Sequence, residues 1–595
     1  MTGAVFERVA PSWASRLDRS GLVQKAAALA YHPGVSTALV VLFAVSGLVG
    51  ILLIEKTGAR EGQIVATIIG LALFAALYVN ANEQRAGVLV LFLFAWALFA
   101  VAGFTARTDN LMGSDVHREF RAVVHFGDAY HWDPLDLPEI SFSSVWLIVG
   151  TRMFTGLTGL DAHTILKYAY PAMLAAVSIP LFLVFERAVN PRRAFAAVFI
   201  AVSALSFWES TAQIAKASIS MLIALALLYV VTSRPLSETR TLVLGATLVV
   251  ALVFTHYTTS VLVLLTLGVA WAAEWAYFWK WRRAGLVTTV PSFRLGLLLL
   301  VGCVIFVAWY AAIPYVFDML VNSATYPIEA IARKLAGEDF RRSGETLAET
   351  LGRGGSLGYW SIRISLLVVA SAIAAGWIRQ ALDIYRGRRV ASGRLRLFAT
   401  QTVALGLTAV GFLVPTTLDA NRLFAIALVL SASLATLWWG VSGPMKRSRN
   451  REAAWASKAL LAGSVLVAAS QMGLPFLALD GVAFSTNMGD DGPVFARYGF
   501  DEEDRAFRDW SIVAAAGRDF RVTRAFVDYF HQDPKVAIDH VRTLDRQAVA
   551  DRLPSELIEQ GPRGILCLRD PGAAWTVAEP RVVYASARNQ VVLEC

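Results

Sequence analysis

Cysteine and charged residues are both scarce in this sequence. Only three of its 595 residues are cysteine, which excludes a disulfide scaffold and a metal site built from several cysteines. Charged residues make up 17% of the chain, against about a quarter in a soluble domain, and the mean hydropathy is +0.54. With 56% hydrophobic residues, the chain is too apolar for a single soluble globule or a disordered protein. The composition therefore predicts a membrane protein.

Several catalytic motifs are missing as well. The sequence has no His-Glu-x-x-His zinc motif, no Cys-x-x-Cys pair and no Walker A motif. The glycine-rich stretch 351–358 (LGRGGSLG) lacks the Lys-Ser/Thr that a phosphate-binding loop requires. ATP-driven transport and the chemistry of soluble nucleotides therefore have no anchoring motif in this chain.

Long apolar runs dominate the chain instead. Because a hydrocarbon core of about 30 Å takes about 20 helical residues to cross, these runs predict about thirteen transmembrane helices. They lie near residues 35–54, 64–82, 88–104, 164–186, 194–208, 213–232, 241–256, 259–278, 294–314, 359–378, 397–414, 421–440 and 458–478. A further apolar run, 142–157, would reverse every later loop if it crossed, so we interpret it as an interfacial or re-entrant segment on the outer face.

The distribution of basic residues predicts the orientation. Arginine and lysine concentrate in alternate loops, above all in 379–396 and 446–458, and such loops face the cytosol. The net charge of +9 therefore reports orientation, and we expect no nucleic-acid partner. We predict a multi-pass protein of the plasma membrane with a cytoplasmic N-terminus. Its regions are an amphipathic cytosolic segment (1–34), a transmembrane domain (35–478, with outer loops 105–163 and 315–358) and a small extracytoplasmic α/β domain (479–595).

In the first long outer loop, the carboxylates of Asp115 and Glu119 lie four residues apart. On a helix this spacing places both on one face, and a carboxylate beside an apolar surface is suited to act as a general base. The alternative is that residues 113–115 (GSD) only cap a surface helix. We therefore treat Asp115 and Glu119 as candidate catalytic residues.

A polar stripe opens one predicted span. In the segment 207–220, Glu209, Gln213 and Lys216 recur four and three residues apart on an otherwise apolar helix. Within a membrane such a stripe faces a partner or a water-filled cavity. An internal ion pair between Glu209 and Lys216 at the membrane edge is the alternative interpretation.

Two further polar positions lie at predicted outer ends of spans. His256 and Tyr257 begin a tight turn with two threonines, where a ligand pocket and an ordinary interfacial position are both plausible. Arg422 lies one turn into an apolar span, at a depth suited to pairing with a carboxylate such as Asp419 or to binding a phosphate.

The second long outer loop is basic. It contains Arg341 and Arg342 followed by glycines, a composition suited to a mobile flap over an anionic headgroup. A solvated loop explains the same residues.

Together these features resemble the GT-C superfamily of membrane glycosyltransferases. The resemblance covers nearly the whole chain in architecture, and residues 113–120 (GSDVHREF) and 256–259 (HYTT) are similar to short motifs of prokaryotic multi-pass members. It implies a sugar donor linked to polyprenyl phosphate, an acceptor in the cell envelope, and transfer on the outer face of the bilayer. By the same resemblance, Asp115 would deprotonate the acceptor, while His256, Arg422 and Lys216 would hold the donor phosphate.

Two questions stay open at this stage. No cofactor is predicted with certainty, because Asp115, His117 and Glu119 are too few local ligands to establish a divalent cation. A flippase or transporter of a lipid-linked sugar, and a polysaccharide polymerase or ligase, would use similar cationic groups and the same topology.

Overall fold

The computed structural model contains a helical part and a small sheet. It describes residues 33–57, 60–82, 84–106, 111–113, 115–129, 133–134, 140–232, 237–282, 292–336, 357–386, 391–413, 420–438, 449–480, 519–522, 541–543, 564–569, 581–585 and 589–593. The predicted amphipathic segment 1–34 falls almost entirely outside these residues.

The helices are numbered in chain order. The first nine are α1 (Pro33–Thr57), α2 (Glu61–Val79), α3 (Ala86–Thr105), α4 (Asp115–Ala129), α5 (Thr151–Thr158), α6 (Ala162–Ala188), α7 (Pro191–Ser203), α8 (Leu205–Ala212) and α9 (Ala215–Thr232). The others are α10 (Glu238–Val253), α11 (Tyr257–Arg282), α12 (Phe293–Ala311), α13 (Pro314–Leu335), α14 (Leu357–Tyr385), α15 (Ser392–Leu413), α16 (Ala420–Trp438), α17 (Arg449–Gln471) and α18 (Leu474–Asp480).

Many of these helices are built for a lipid environment. Within the described residues, eight are long and apolar enough to cross a membrane, and α17 with α18, bent by 58°, would make a ninth. The eight are α1, α2, α3, α6, α9, α11, α12 and α14. Their outward faces expose large apolar side chains such as Leu42, Val65 and Leu300, which water solvates poorly. The chain is an α-helical membrane protein.

Five of the thirteen predicted spans correspond to helices that are shorter, bent or less apolar over their described lengths. The run near 194–208 breaks at Ala204, where α7 ends and α8 begins. The run near 241–256 forms the 16-residue α10, and the apolar part of α16 is short as well. The count of thirteen spans therefore remains a prediction.

The apolar run 142–157 is not a continuous α-helix. It holds the end of a 3₁₀ turn (Ile140–Ser143), a five-residue π-helical turn (Trp146–Gly150) and the eight-residue α5. The chain then reverses through Gly159, whose φ of +74° suits glycine. These pieces are too short to cross a bilayer as one helix, in agreement with the non-spanning interpretation.

The core between α2, α3 and α7 is aromatic. The rings of Phe74 and Phe199 stack with centroids 3.7 Å apart, and Trp96 donates a hydrogen bond of 2.8 Å to the Ser203 hydroxyl. Gly70 permits this approach, because a Cβ there would lie 2.3 Å from the Trp96 ring. The packing fixes the end of α7 and hence the start of α8, which leads toward the polar cluster described below.

Five strands near the C-terminus form one mixed sheet. They are β1 (Asp519–Val522), β2 (Val541–Thr543), β3 (Gly564–Arg569), β4 (Arg581–Ala585) and β5 (Asn589–Leu593). The order is β2-β1-β3-β5-β4, with β1–β2 and β3–β5 parallel and the other two pairs antiparallel. The rest of 479–595 beyond these strands and Leu474–Asp480 lies outside the described residues, so the extracytoplasmic α/β domain stays a prediction.

Candidate functional site

Helix α4 carries both candidate carboxylates, as their spacing predicts. Asp115 is its first residue, and one Asp115 oxygen lies 2.6 Å from the guanidinium of Arg422 on α16. About a third of each side chain is exposed. The partner of Arg422 is thus a carboxylate 307 positions earlier in the chain, and Asp419 lies outside the described residues. Asp115 and Arg422 form the accessible part of the cluster.

Glu119 is one turn further along α4 and is fully buried. One of its oxygens accepts the Ala215 backbone N–H at 2.5 Å, and the other lies 3.6 Å from the Lys216 ammonium. Lys216 also donates to the Ser141 hydroxyl at 3.1 Å. Glu119 therefore caps the first turn of α9, whose N–H groups have no partners within the helix.

The predicted stripe on one continuous helix is wrong. The helical run ends with α8 at Ala212 and resumes with α9 at Ala215, so Glu209 and Lys216 lie on different helices. Lys216 pairs with Glu119 in place of the predicted partner Glu209. Glu209 lies half-buried on α8. The break has a physical reason: Glu119 supplies a cap at Ala215 that the local sequence does not encode.

Gly113 joins the start of α4 to the α8–α9 break. Its φ is +110°, and a Cβ on it would lie 2.5 Å from Cγ of Gln213. Only glycine satisfies both conditions, because other residues pay for this backbone region and would also collide. The turn before Asp115 therefore packs against the Gln213 side chain.

The pKa values of the two carboxyl groups are shifted in opposite directions. Burial alone raises the pKa of Asp115, but the positive charges of Arg422, Lys216 and Arg118 outweigh it and hold the pKa below the ordinary value. Burial raises the pKa of Glu119 to about 7, because the charge of Lys216 and the backbone hydrogen bonds only partly offset it and Asp115 repels it. At neutral pH Asp115 is a carboxylate, while Glu119 is near its titration point.

A second polar group lies beside Lys216, where α9 faces the start of α11. The Thr259 hydroxyl lies 2.8 Å from Nδ1 of His256 and 3.0 Å from the Ser220 hydroxyl. Ser220 is four residues after Lys216, on the same face of α9. The His256 imidazole thus shares its Nδ1 with the Thr259 hydroxyl at the end of this face.

Tyr257 lies in a different environment from its neighbour His256. Its ring meets Tyr310 edge to face, with centroids 6.4 Å apart, and Tyr310 donates to the backbone oxygen of Val253 at 2.7 Å. Tyr257 also contacts the His256 ring at 5.2 Å between centroids. Its place in the cluster is to support His256 from an aromatic patch.

An apolar groove leads away from this cluster. It lies between α9, α11, α15 and α16 and is open to solvent on one side, with about 730 Å³ of empty space when that solvent is included, and its walls include Leu228, Leu267 and Val429. Thr259 lines one end and Arg396 the other. The groove thus joins the polar cluster to the helix interior, a feature that no local pattern in the sequence indicates.

Two of the predicted site residues, Arg341 and Arg342, lie outside the described residues. Among the residues that the structure describes, no three His, Cys, Asp or Glu side chains are grouped as metal ligands. Ser141, Ser220 and Thr259 join the cluster, and nothing in the sequence around Ser141 and Ser220 beyond their polarity predicts this.

The comparisons with known proteins give no relative from which to assign this site. No protein-family model matches the chain, and neither does any curated protein.

Proposed function

We propose that this protein is a membrane glycosyltransferase that moves a sugar from a polyprenyl-phosphate-linked donor to a cell-envelope glycan, lipid or protein acceptor. The observation that carries the proposal is the continuity of the apolar groove with the polar cluster at Thr259. A lipid-linked phosphate needs both parts, an apolar channel for the chain and cationic groups for the phosphate.

Arg422 and Lys216 supply the charge for the donor phosphate. Guanidinium groups bind phosphate with two parallel hydrogen bonds, and Arg422 is the more accessible of the two cations. His256 and Thr259, which contact each other, add hydrogen-bonding groups at the mouth of the groove. Charge that develops on the leaving phosphate would be stabilised by these fixed groups.

Asp115 is the proposed general base. In the unliganded site its carboxylate is bound to Arg422 at 2.6 Å, which keeps its pKa low and its basicity weak. A donor phosphate that shares Arg422 would loosen this pair and raise the Asp115 pKa toward that of an ordinary carboxyl. The base is thus activated when the donor is bound.

Glu119 has a positioning role in this proposal. Its full burial and its bonds to Ala215 and Lys216 remove it from contact with an acceptor. It holds Lys216 and the start of α9 in place relative to Asp115. A divalent cation remains open, and a chelator added to the assay below decides whether one is needed.

The proposed setting follows the predicted topology. The chain would cross the plasma membrane thirteen times, with its N-terminus in the cytoplasm. Residues 479–595 would form an α/β domain on the outer side. The polar cluster would then face the outer side of the membrane. Enzymes of the GT-C superfamily, which this chain resembles, use lipid-linked sugars on that side.

The test is turnover by the purified full-length chain. Short-chain polyprenyl-phosphate sugars are supplied in nanodiscs, and release of polyprenyl phosphate is followed with and without a chelator. We expect turnover that Asp115→Asn abolishes and that Asp318→Asn, an exposed carboxylate on α13, leaves intact. Full activity in Asp115→Asn with a folded protein would refute the base assignment.

A flippase is the second candidate, because charged groups lie at both ends of the groove. Arg396 at the far end and Arg422 near the mouth would give a lipid headgroup two cationic binding positions along one path. Movement of a fluorescent lipid phosphate between leaflets without sugar release would favour this function.

A further inference from the structure

An ion pair lies at the far end of the apolar groove. The Arg396 guanidinium lines the groove, and its Nε lies 2.7 Å from a carboxylate oxygen of Glu274. Both side chains are largely buried, with 17% and 5% exposed. Ionisable groups buried in a membrane protein are costly and are commonly functional.

Four elements hold this pair in place. Glu274 on α11 also accepts the backbone N–H of Ser292, before α12, at 3.2 Å. Arg396 on α15 donates to the backbone oxygen of Val231 on α9. Because each charge has more than one partner, the pair is rigid, and a hydrocarbon chain that reached it would have to displace these bonds.

The groove has a defined length. Thr259 lines its mouth on α11, and Glu274 of the ion pair lies fifteen residues further along the same helix, which corresponds to about 22 Å of helix. This is about three quarters of the hydrocarbon thickness of a bilayer. The pair therefore lies at a fixed distance from the polar cluster.

We infer that the Glu274–Arg396 pair limits the length of hydrocarbon chain that the groove holds next to the polar cluster. Chain segments beyond this length leave the groove between the helices and contribute nothing to binding. The inference rests on the proposed function, since it assigns the groove to the chain of a lipid phosphate. An ordinary interfacial ion pair would not line the groove or affect the binding of lipids.

Chain-length dependence tests the inference. Straight-chain alkyl monophosphates of graded length are bound to the full-length chain in detergent, and affinity is measured by native mass spectrometry. In the wild type, affinity rises about four-fold for each buried methylene and then levels off when the groove is full. The double variant Glu274→Ala/Arg396→Ala removes both charges together, and we expect levelling at a longer chain and about ten-fold or more tighter binding of the longest ligand.

A second variant keeps the pair intact. Ala270→Phe fills the groove before the pair, so affinity should level off at a shorter chain, whereas Ala311→Phe on the exposed end of α12 should leave the profile unchanged. If the double variant does not fold, the chain-length profile of Ala270→Phe still tests the inference. A levelling point unchanged in either folded groove variant would overturn the inference but leave the proposed function standing. Failure of every alkyl phosphate to bind the wild type would overturn the proposed function itself.

Discussion

Asp115 and Glu119 lie one turn apart on α4, and each carboxyl group faces a cation. Asp115 has 29% of its side chain exposed and a tight partner at 2.6 Å, whereas Glu119 is fully enclosed with its cation at 3.6 Å. The first is therefore more acidic than an ordinary carboxyl and the second less. Distance to the cation and access to water thus decide which of the two carboxyl groups is ionised at neutral pH.

Removing the accessible carboxylate should have the largest effect. Asp115→Asn keeps the shape but cannot accept a proton, so we expect kcat/KM to fall by about a thousand-fold with little change in thermal stability. Sugar release by the purified variant measures this. If kcat/KM fell by a similar factor in a folded Glu119→Gln variant, both carboxylates would act in the chemistry. The proposed difference in role between Asp115 and Glu119 would then be wrong.

Removing the cation from the same pair should have the next largest effect. Arg422→Gln loses charge-assisted bonds to the donor phosphate worth about 1.5–3 kcal/mol, or roughly ten- to a hundred-fold in donor KM. The Asp115 pKa should also rise, so the acidic limb of the kcat/KM profile shifts to higher pH. Arg422→Lys should restore only part of the affinity, since an ammonium does not form the two-pronged contact. An unchanged profile in Arg422→Gln would contradict the pairing.

Truncating the enclosed carboxylate should lower stability. Glu119→Ala leaves the Ala215 N–H without its acceptor and the Lys216 ammonium without its ion-pair partner, at a cost of about 1–3 kcal/mol in unfolding free energy. The midpoint of thermal unfolding in detergent measures it, and Asp161→Ala, which removes an exposed cap on the Thr164 N–H, is the matched control. A smaller loss for Glu119 than for Asp161 would contradict the capping role.

The smallest expected effect is the change in stability over a single pH unit. The pKa of Glu119 rises from 4.5 to about 7 on folding, so the folded state binds more protons between these values and unfolding free energy falls as pH rises through them, by up to about 1.4 kcal/mol per unit. Asp115 acts oppositely: its stabilisation is present above the ordinary carboxyl pKa and is lost as pH falls. Glu119→Gln should abolish the fall between 4.5 and 7. An identical slope in that variant would assign it to another group.

The sequence predicts local features of the site better than its long-range contacts. The four-residue spacing of Asp115 and Glu119 and the helix that carries them follow from local pattern. The Asp115–Arg422 pair does not, because nothing near Arg422 in the chain indicates a partner on α4. The start of α9 fails for a related reason, since its cap is a glutamate from a distant segment. The groove is likewise a property of four helices together.

The resting partner of Arg422 has a consequence for which anions the site admits. A guanidinium already bound to a carboxylate attracts a dissolved phosphate weakly, because that anion must replace an existing bond and has no hydrocarbon chain to bury. A phosphate carried by a long chain arrives with burial energy from the groove, which offsets the loss of the Asp115 bond. The cluster would therefore stay empty of the abundant soluble phosphates around it and would respond only to anions delivered through the bilayer.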